Sequence, residues 1–129
     1  MRIKNERLDE ILSASSGLEK LMGDILRVLT IFTGALWLWE IYQELKGFRF
    51  TLGEEPPTLG DVTRAINKLS NEGFILTEKR IRASLGGEGI EDVLITLNLS
   101  PRERIKLLMD KRVREYQSVR QRVFKLARE

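Results

Sequence analysis

The chain has 129 residues, enough for one domain with a real core but not for two. Hydrophobic residues make up 42% and charged residues 32%, a globular balance and not a disordered one. There is no cysteine and no histidine, which excludes disulfides, thiolate nucleophiles, the usual zinc sites and imidazole acid–base chemistry.

The formal charge of +3 hides an asymmetry. Residues 1–61 hold 7 basic and 10 acidic groups, a net of −3, whereas residues 62–129 hold 15 basic and 9 acidic groups, a net of +6. A basic second half suits a polyanionic partner. No N-terminal signal pattern is present, and the longest apolar stretch, Ala35 to Trp39, falls far short of the roughly 18 residues that cross a bilayer. A soluble, cytoplasmic and nucleoid-associated protein without membrane contact is expected. Charge concentrated in Glu, Lys and Arg, with no Cys, would suit a thermophile.

Residues 5–32 carry a helical pattern in which Leu8, Ile11, Leu18, Met22, Ile25, Leu29 and Phe32 recur at spacings of three and four. The SASSG segment at Ser13–Gly17 could break it, so the region is read as one helix or two. A second helix is expected over 35–46. Its apolar residues nearly surround it, the mark of a central helix. Trp37, Trp39 and Tyr42 could also wall a pocket for a flat apolar ligand, although such rings are routine in cores.

In the connector GFRFTLGEEPP, Phe48, Phe50 and Leu52 alternate with polar residues and predict a short strand. The paired prolines Pro56–Pro57 block helix and place the next start at Thr58. Glu54 and Glu55 are adjacent carboxylates without a partner base, which reads as a solvated turn and not as catalysis.

The stretch TLGDVTRAINKLSNEGFI predicts the organising helix, over 58–72. Thr58 is a good N-cap, and Asp61 sits favourably in the positive first turn. Leu59, Val62, Ala65, Ile66 and Leu69 share one face, and Gly73 supplies the left-handed stop. The opposite face carries Gly60, Arg64, Asn67 and Asn71, flanked by Thr63 and Lys68. Short polar and basic groups with almost no acid suit a DNA groove, although a solvated surface face would look similar.

A β-hairpin is expected over 74–99, with SLGGEG as its flexible tip. Lys79, Arg80 and Arg82 crowd the outgoing strand and could meet phosphates, or be ordinary edge-strand charges. The final helix, over 101–129, opens on Ser100-Pro101-Arg102-Glu103, an N-cap, a first-turn proline and a capping-box glutamate. Ile105, Met109, Tyr116, Val119, Val123 and Leu126 follow a heptad spacing broken by Arg112, which suggests pairing with the N-terminal helix or with a second copy. No nucleophile–base pair or metal-ligand cluster can be assembled, so neither an enzyme, a metal nor a cofactor is expected.

The fold class is therefore mainly α with a small β-hairpin (α+β), one domain over 1–129. Three pieces, ALWLWEIYQELKG, PPTLGDVTRAINKLSNEGFI and VLITLNLSPRERIKLL, resemble the first helix, recognition helix and second wing strand of the PadR-like and MarR-like transcription regulators. The resemblance covers roughly residues 25–100. It implies a winged helix-turn-helix with N- and C-terminal dimerisation helices, acting as a homodimer on double-stranded DNA. It matches Thr58, Gly60, Thr63, Arg64, Asn67, Lys68 and Asn71 to DNA contacts. The terminal helices would pair through Leu8, Ile11, Leu18, Ile105, Met109, Tyr116, Val119, Val123 and Leu126. Such relatives often bind small aromatic effectors, which nothing in these residues requires. A protein–protein adaptor and a non-specific chromatin-type DNA binder are the alternative readings.

Overall fold

The computed structural model describes residues 4–83 and 85–128. Six helices and three strands follow in the order α1 (Lys4–Ser13), α2 (Gly17–Ile31), β1 (Ala35–Trp37), α3 (Leu38–Thr51), α4 (Leu59–Asn71), β2 (Ile75–Arg82), β3 (Ile90–Leu97), α5 (Pro101–Leu108) and α6 (Lys111–Arg128). The N-terminal region is thus two helices, broken at the SASSG segment.

The central helix is α2, not the one expected over 35–46. Leu21, Met22, Ile25, Leu26, Val28 and Leu29 are all buried, and α2 packs on α1, α3, α4, α5 and β3. Residues apolar on nearly every side need neighbours on every side. Trp39, in contrast, lies half in solvent at 50% exposure.

Residues 35–37 form a strand and not the start of a helix. Ala35, Leu36 and Trp37 pair antiparallel with Thr96, Ile95 and Leu94. Helix α3 begins only at Leu38, where the Glu40 carboxylate accepts a hydrogen bond from the Trp37 N–H at 3.0 Å. It then runs through the segment predicted as a strand. Ile41, Leu45 and Phe48 are buried along one helical stripe, while Phe50 is 84% exposed. The period-two alternation of Phe48, Phe50 and Leu52 was a coincidence of composition. The link to α4 consequently shrinks to residues 52–58.

The sheet has the order β1-β3-β2, with both pairings antiparallel and Ile95 opposite both Leu36 and Thr77. The turn entering β1 needs a left-handed residue at Gly34 (φ 90°), whose N–H reaches the Leu29 carbonyl at 2.6 Å and whose own carbonyl accepts from Leu97. The final helix is two helices. After the expected capping box at Ser100–Glu103, α5 ends at Leu108. Asp110 then caps α6, accepting hydrogen bonds from the N–H groups of Arg112 and Val113 at 2.9 and 3.1 Å.

Arg112, the residue that broke the heptad, belongs to a buried ionic cluster. The Asp24 carboxylate, fully enclosed, accepts from Arg27 (2.8 Å), Arg49 (3.1 Å) and Arg112 (2.9 and 3.0 Å). Arg27 also donates twice to Asp110, at 2.7 and 3.0 Å, and Arg112 donates twice to Glu54, each at 2.8 Å. Five elements meet there: α2, α3, the α3–α4 link, the α5–α6 corner and α6. The Arg112 hydrogen bonds, helped by Lys20, hold the Glu54 carboxyl well below its ordinary value, at about 2.

The cluster and the core dismantle the continuous terminal seam. Leu8 and Ile11 are wholly enclosed within this chain's own core, and Tyr116 packs its ring on Phe48 at 5.1 Å. Leu18 is half-buried against the same core. Leu8, Ile11 and Tyr116 are thus taken up by their own chain. Ile105 on α5 and Met109 just past its end are exposed, and Val123 and Leu126 are exposed on α6, with Val119 half-buried beside them. They lie on two helices separated by a corner, so they form no single stripe.

Candidate nucleic-acid interface

Helix α4 owes its position to its apolar face. Val62, Ala65, Ile66 and Leu69 are buried, each large member contributing roughly 1.5–3 kcal/mol of gross burial. Leu59, placed on that face by its spacing, is instead 43% exposed, because the first turn stands beyond the core. The Thr58 hydroxyl accepts from the Asp61 N–H at 3.1 Å and caps the start. At the other end, Gly73 (φ 81°) lets its own N–H reach the Ser70 carbonyl at 3.1 Å and the Phe74 N–H reach Leu69 at 3.0 Å. This double bond is a Schellman stop. It turns the chain directly into β2.

With that face fixed inward, the opposite face is fixed outward. Thr58, Gly60, Thr63, Arg64, Asn67, Lys68 and Asn71 are all exposed. Nothing lies within 4 Å of the place a Gly60 Cβ would take, so the backbone there is open to close approach. The Thr63 hydroxyl donates back to the Leu59 carbonyl at 2.9 Å, which leaves its lone pairs pointing to solvent. Arg64 is paired with Asp61 one turn earlier. Both are solvated, and the guanidinium together with the Thr58 cap holds the Asp61 carboxyl below its usual range.

A shallow cleft of about 250 Å³ joins α4 to the sheet, lined by Thr63 and Asn67 on one side and by Thr77 and Lys79 on the other. The wing root and the α4 face thus form one surface. The other two wing cations are already engaged, Arg80 with Glu78 at 3.1 Å and Arg82 with Asp92 at 2.8 Å. The exposed apolar residues of the hairpin, Leu76, Ile81, Leu85 and Ile90, were not singled out by the charge pattern.

Trp39 and Tyr42 lie against each other at 5.4 Å between ring centroids, with Trp39 half in solvent. Cavities of about 620, 470 and 460 Å³ open elsewhere and are not lined by Trp37, Trp39 or Tyr42. Among the described residues, no helix is long and apolar enough to cross a membrane.

The run α2-β1-α3-α4-β2-β3, with β1 closing the sheet against β3, defines a winged-helix fold in which α4 is the helix that leads into the hairpin. No family model and no curated protein matches the sequence. Among solved structures, the chain is similar to the Aeropyrum pernix Orc1 protein in complex with DNA, at 22% identity and a TM-score of 0.59. The match covers 84% of this chain and 27% of that one, so this chain spans about a quarter of its length. At that identity the likeness speaks for the fold.

Proposed function

We propose that this protein is a sequence-specific, double-stranded DNA-binding transcriptional regulator that reads the major groove with α4 and rests its wing on the backbone. The observation that carries the reading is the outward face of α4, six exposed polar or basic side chains and the open backbone at Gly60 on a helix anchored along its other side. Arg64 can read guanine and Asn67 or Asn71 adenine, each by a bidentate pair worth about 1–3 kcal/mol of discrimination. Lys68, Lys79 and, once released from their carboxylates, Arg80 and Arg82 suit phosphates, which orient without reading sequence. The DNA in the complex of the structural neighbour is in keeping with this use of the fold.

In the PadR-like and MarR-like manner the regulator acts as a homodimer. We assign the contact to α5 and its C-cap, where Ile105, Leu108 and Met109 are exposed beside charges of both signs, Lys106 paired with Asp9 at 2.8 Å. A two-fold axis can match mixed signs, whereas α6 beyond Glu115 presents only cations.

The test starts from a duplex selected out of a random pool and compares it with random DNA by fluorescence anisotropy. Arg64→Ala should weaken the selected site about tenfold and random DNA far less. Equal loss on both sequences overturns base reading. Light scattering on the same sample gives the mass, and a mass of one chain overturns the homodimer.

A further inference from the structure

The cavity of about 620 Å³ lies between the last turns of α3 and the free half of α6. Gly47 and Phe50 form one wall, and Val119, Val123, Phe124 and Ala127 form the other. Phe50 is 84% exposed and Phe124 63%, so a concave apolar strip stands open to water. The charged residue of its lining is Arg120. After Glu115, α6 carries Arg120, Arg122, Lys125 and Arg128 and no carboxylate up to residue 128. Only the first turns of α6 are clamped, through Arg112, Val113 and Tyr116.

We propose that this groove docks an amphipathic helix of a partner protein, apolar along one stripe and acidic on its flanks. An apolar floor with Arg120 at its edge, on a helix half whose charges are all cationic, is matched by such a helix. The α6 wall from Val119 to Ala127 is roughly 12 Å long, room for anchors at i, i+4 and i+7. A second copy fits poorly, since its own α6 would bring four more cations against the four here. A nucleic acid would satisfy the arginines but leave Phe50 and Phe124 wet. The proposal does not rest on DNA reading by α4.

The groove has a convenient handle at Gly47. A Cβ there meets nothing within 4 Å, so a side chain can fill the groove without disturbing the fold. The probe is a fluorescent peptide of about four helical turns, with leucines at the i, i+4 and i+7 spacing and glutamates on both flanks. The control peptide carries lysines in place of the glutamates. The full-length chain should bind the acidic peptide at least about tenfold more tightly than the basic one. Gly47→Leu and, from the other wall, Phe124→Ala should each weaken that binding about tenfold. Both variants should leave the mass in solution and the retention of duplex DNA unchanged. Equal binding of the two peptides overturns the proposal, as does acidic-peptide binding that ignores both substitutions. A change in mass assigns the groove to a second copy, and lost DNA retention assigns it to nucleic acid; either result also overturns it.

Discussion

Replacing Asp24 by Asn tests whether the buried ionic cluster holds the C-terminal helix to the rest of the domain. The substitution keeps the shape, so no cavity opens, and it removes one charge. Asp24 has no solvent exposure, and its four accepted hydrogen bonds come from three guanidinium groups. An asparagine can still accept at its oxygen, but its amide would point N–H at an arginine. Removing one partner of a buried ion pair costs roughly 3–5 kcal/mol. The lower end applies here, because the side chains of Arg49 and Arg112 keep 14% and 21% exposure and can recruit water, while Arg27 at 1% cannot. A loss of about 3 kcal/mol leaves most domains folded and lowers Tm by about 10 °C. Urea denaturation followed by far-UV circular dichroism measures it, with the slope checked for two-state behaviour. The cost of Arg112→Gln should then shrink by about 1 kcal/mol in the Asp24→Asn background, since the two share a pair of hydrogen bonds. A loss from Asp24→Asn below about 1 kcal/mol would refute the idea that the cluster carries the α6 attachment.

Three further outcomes follow from particular residues. Glu54 has its carboxyl lowered from 4.5 to about 2, so its contribution is complete above pH 4.5 and is lost as pH falls toward 2. Glu54→Gln should therefore flatten the stability–pH curve across that window, and an unchanged slope would count against the Arg112 pairing. Gly73→Ala should destabilise by about 1 kcal/mol, because the left-handed φ is costly for alanine although its Cβ meets nothing; a stabilised variant would exclude the Schellman stop. Asp61→Asn should tighten DNA binding by up to about fivefold, by releasing Arg64 and removing an acid from the face, and weaker binding would contradict the assigned face.

What could be read from the chain was what neighbouring residues decide. The α4 pattern, its Thr58 cap and its Gly73 stop are all local, and the structure has them at 58, 59–71 and 73. The Ser100–Glu103 capping box is equally local. Strand β1 was missed because three apolar residues fit helix or strand alike, and only pairing with Thr96, Ile95 and Leu94, about 60 positions on, decides between them. The ionic cluster was missed for the same reason. Asp24, Arg49, Glu54 and Arg112 each look like ordinary surface charges until the fold brings them together. One signal was present, since Asp24 and Arg27 sit three apart on a helix otherwise apolar nearly all round. The outward face of α4 was legible because burial of one side dictates exposure of the other.

The depth of the Asp24 cluster also determines what an ionic-strength experiment can mean. Added electrolyte weakens attractions between wetted charges and scarcely touches enclosed ones. The pairs around Asp24 are largely enclosed, with Asp24 and Arg27 shut off from the bath and Arg49 and Arg112 at its edge, while Arg64–Asp61 and Arg80–Glu78 stand in it. Raising potassium chloride should therefore act first on the outer cations and leave the shape intact. The slope of DNA affinity against salt then counts phosphates met, unmixed with any loosening of the protein.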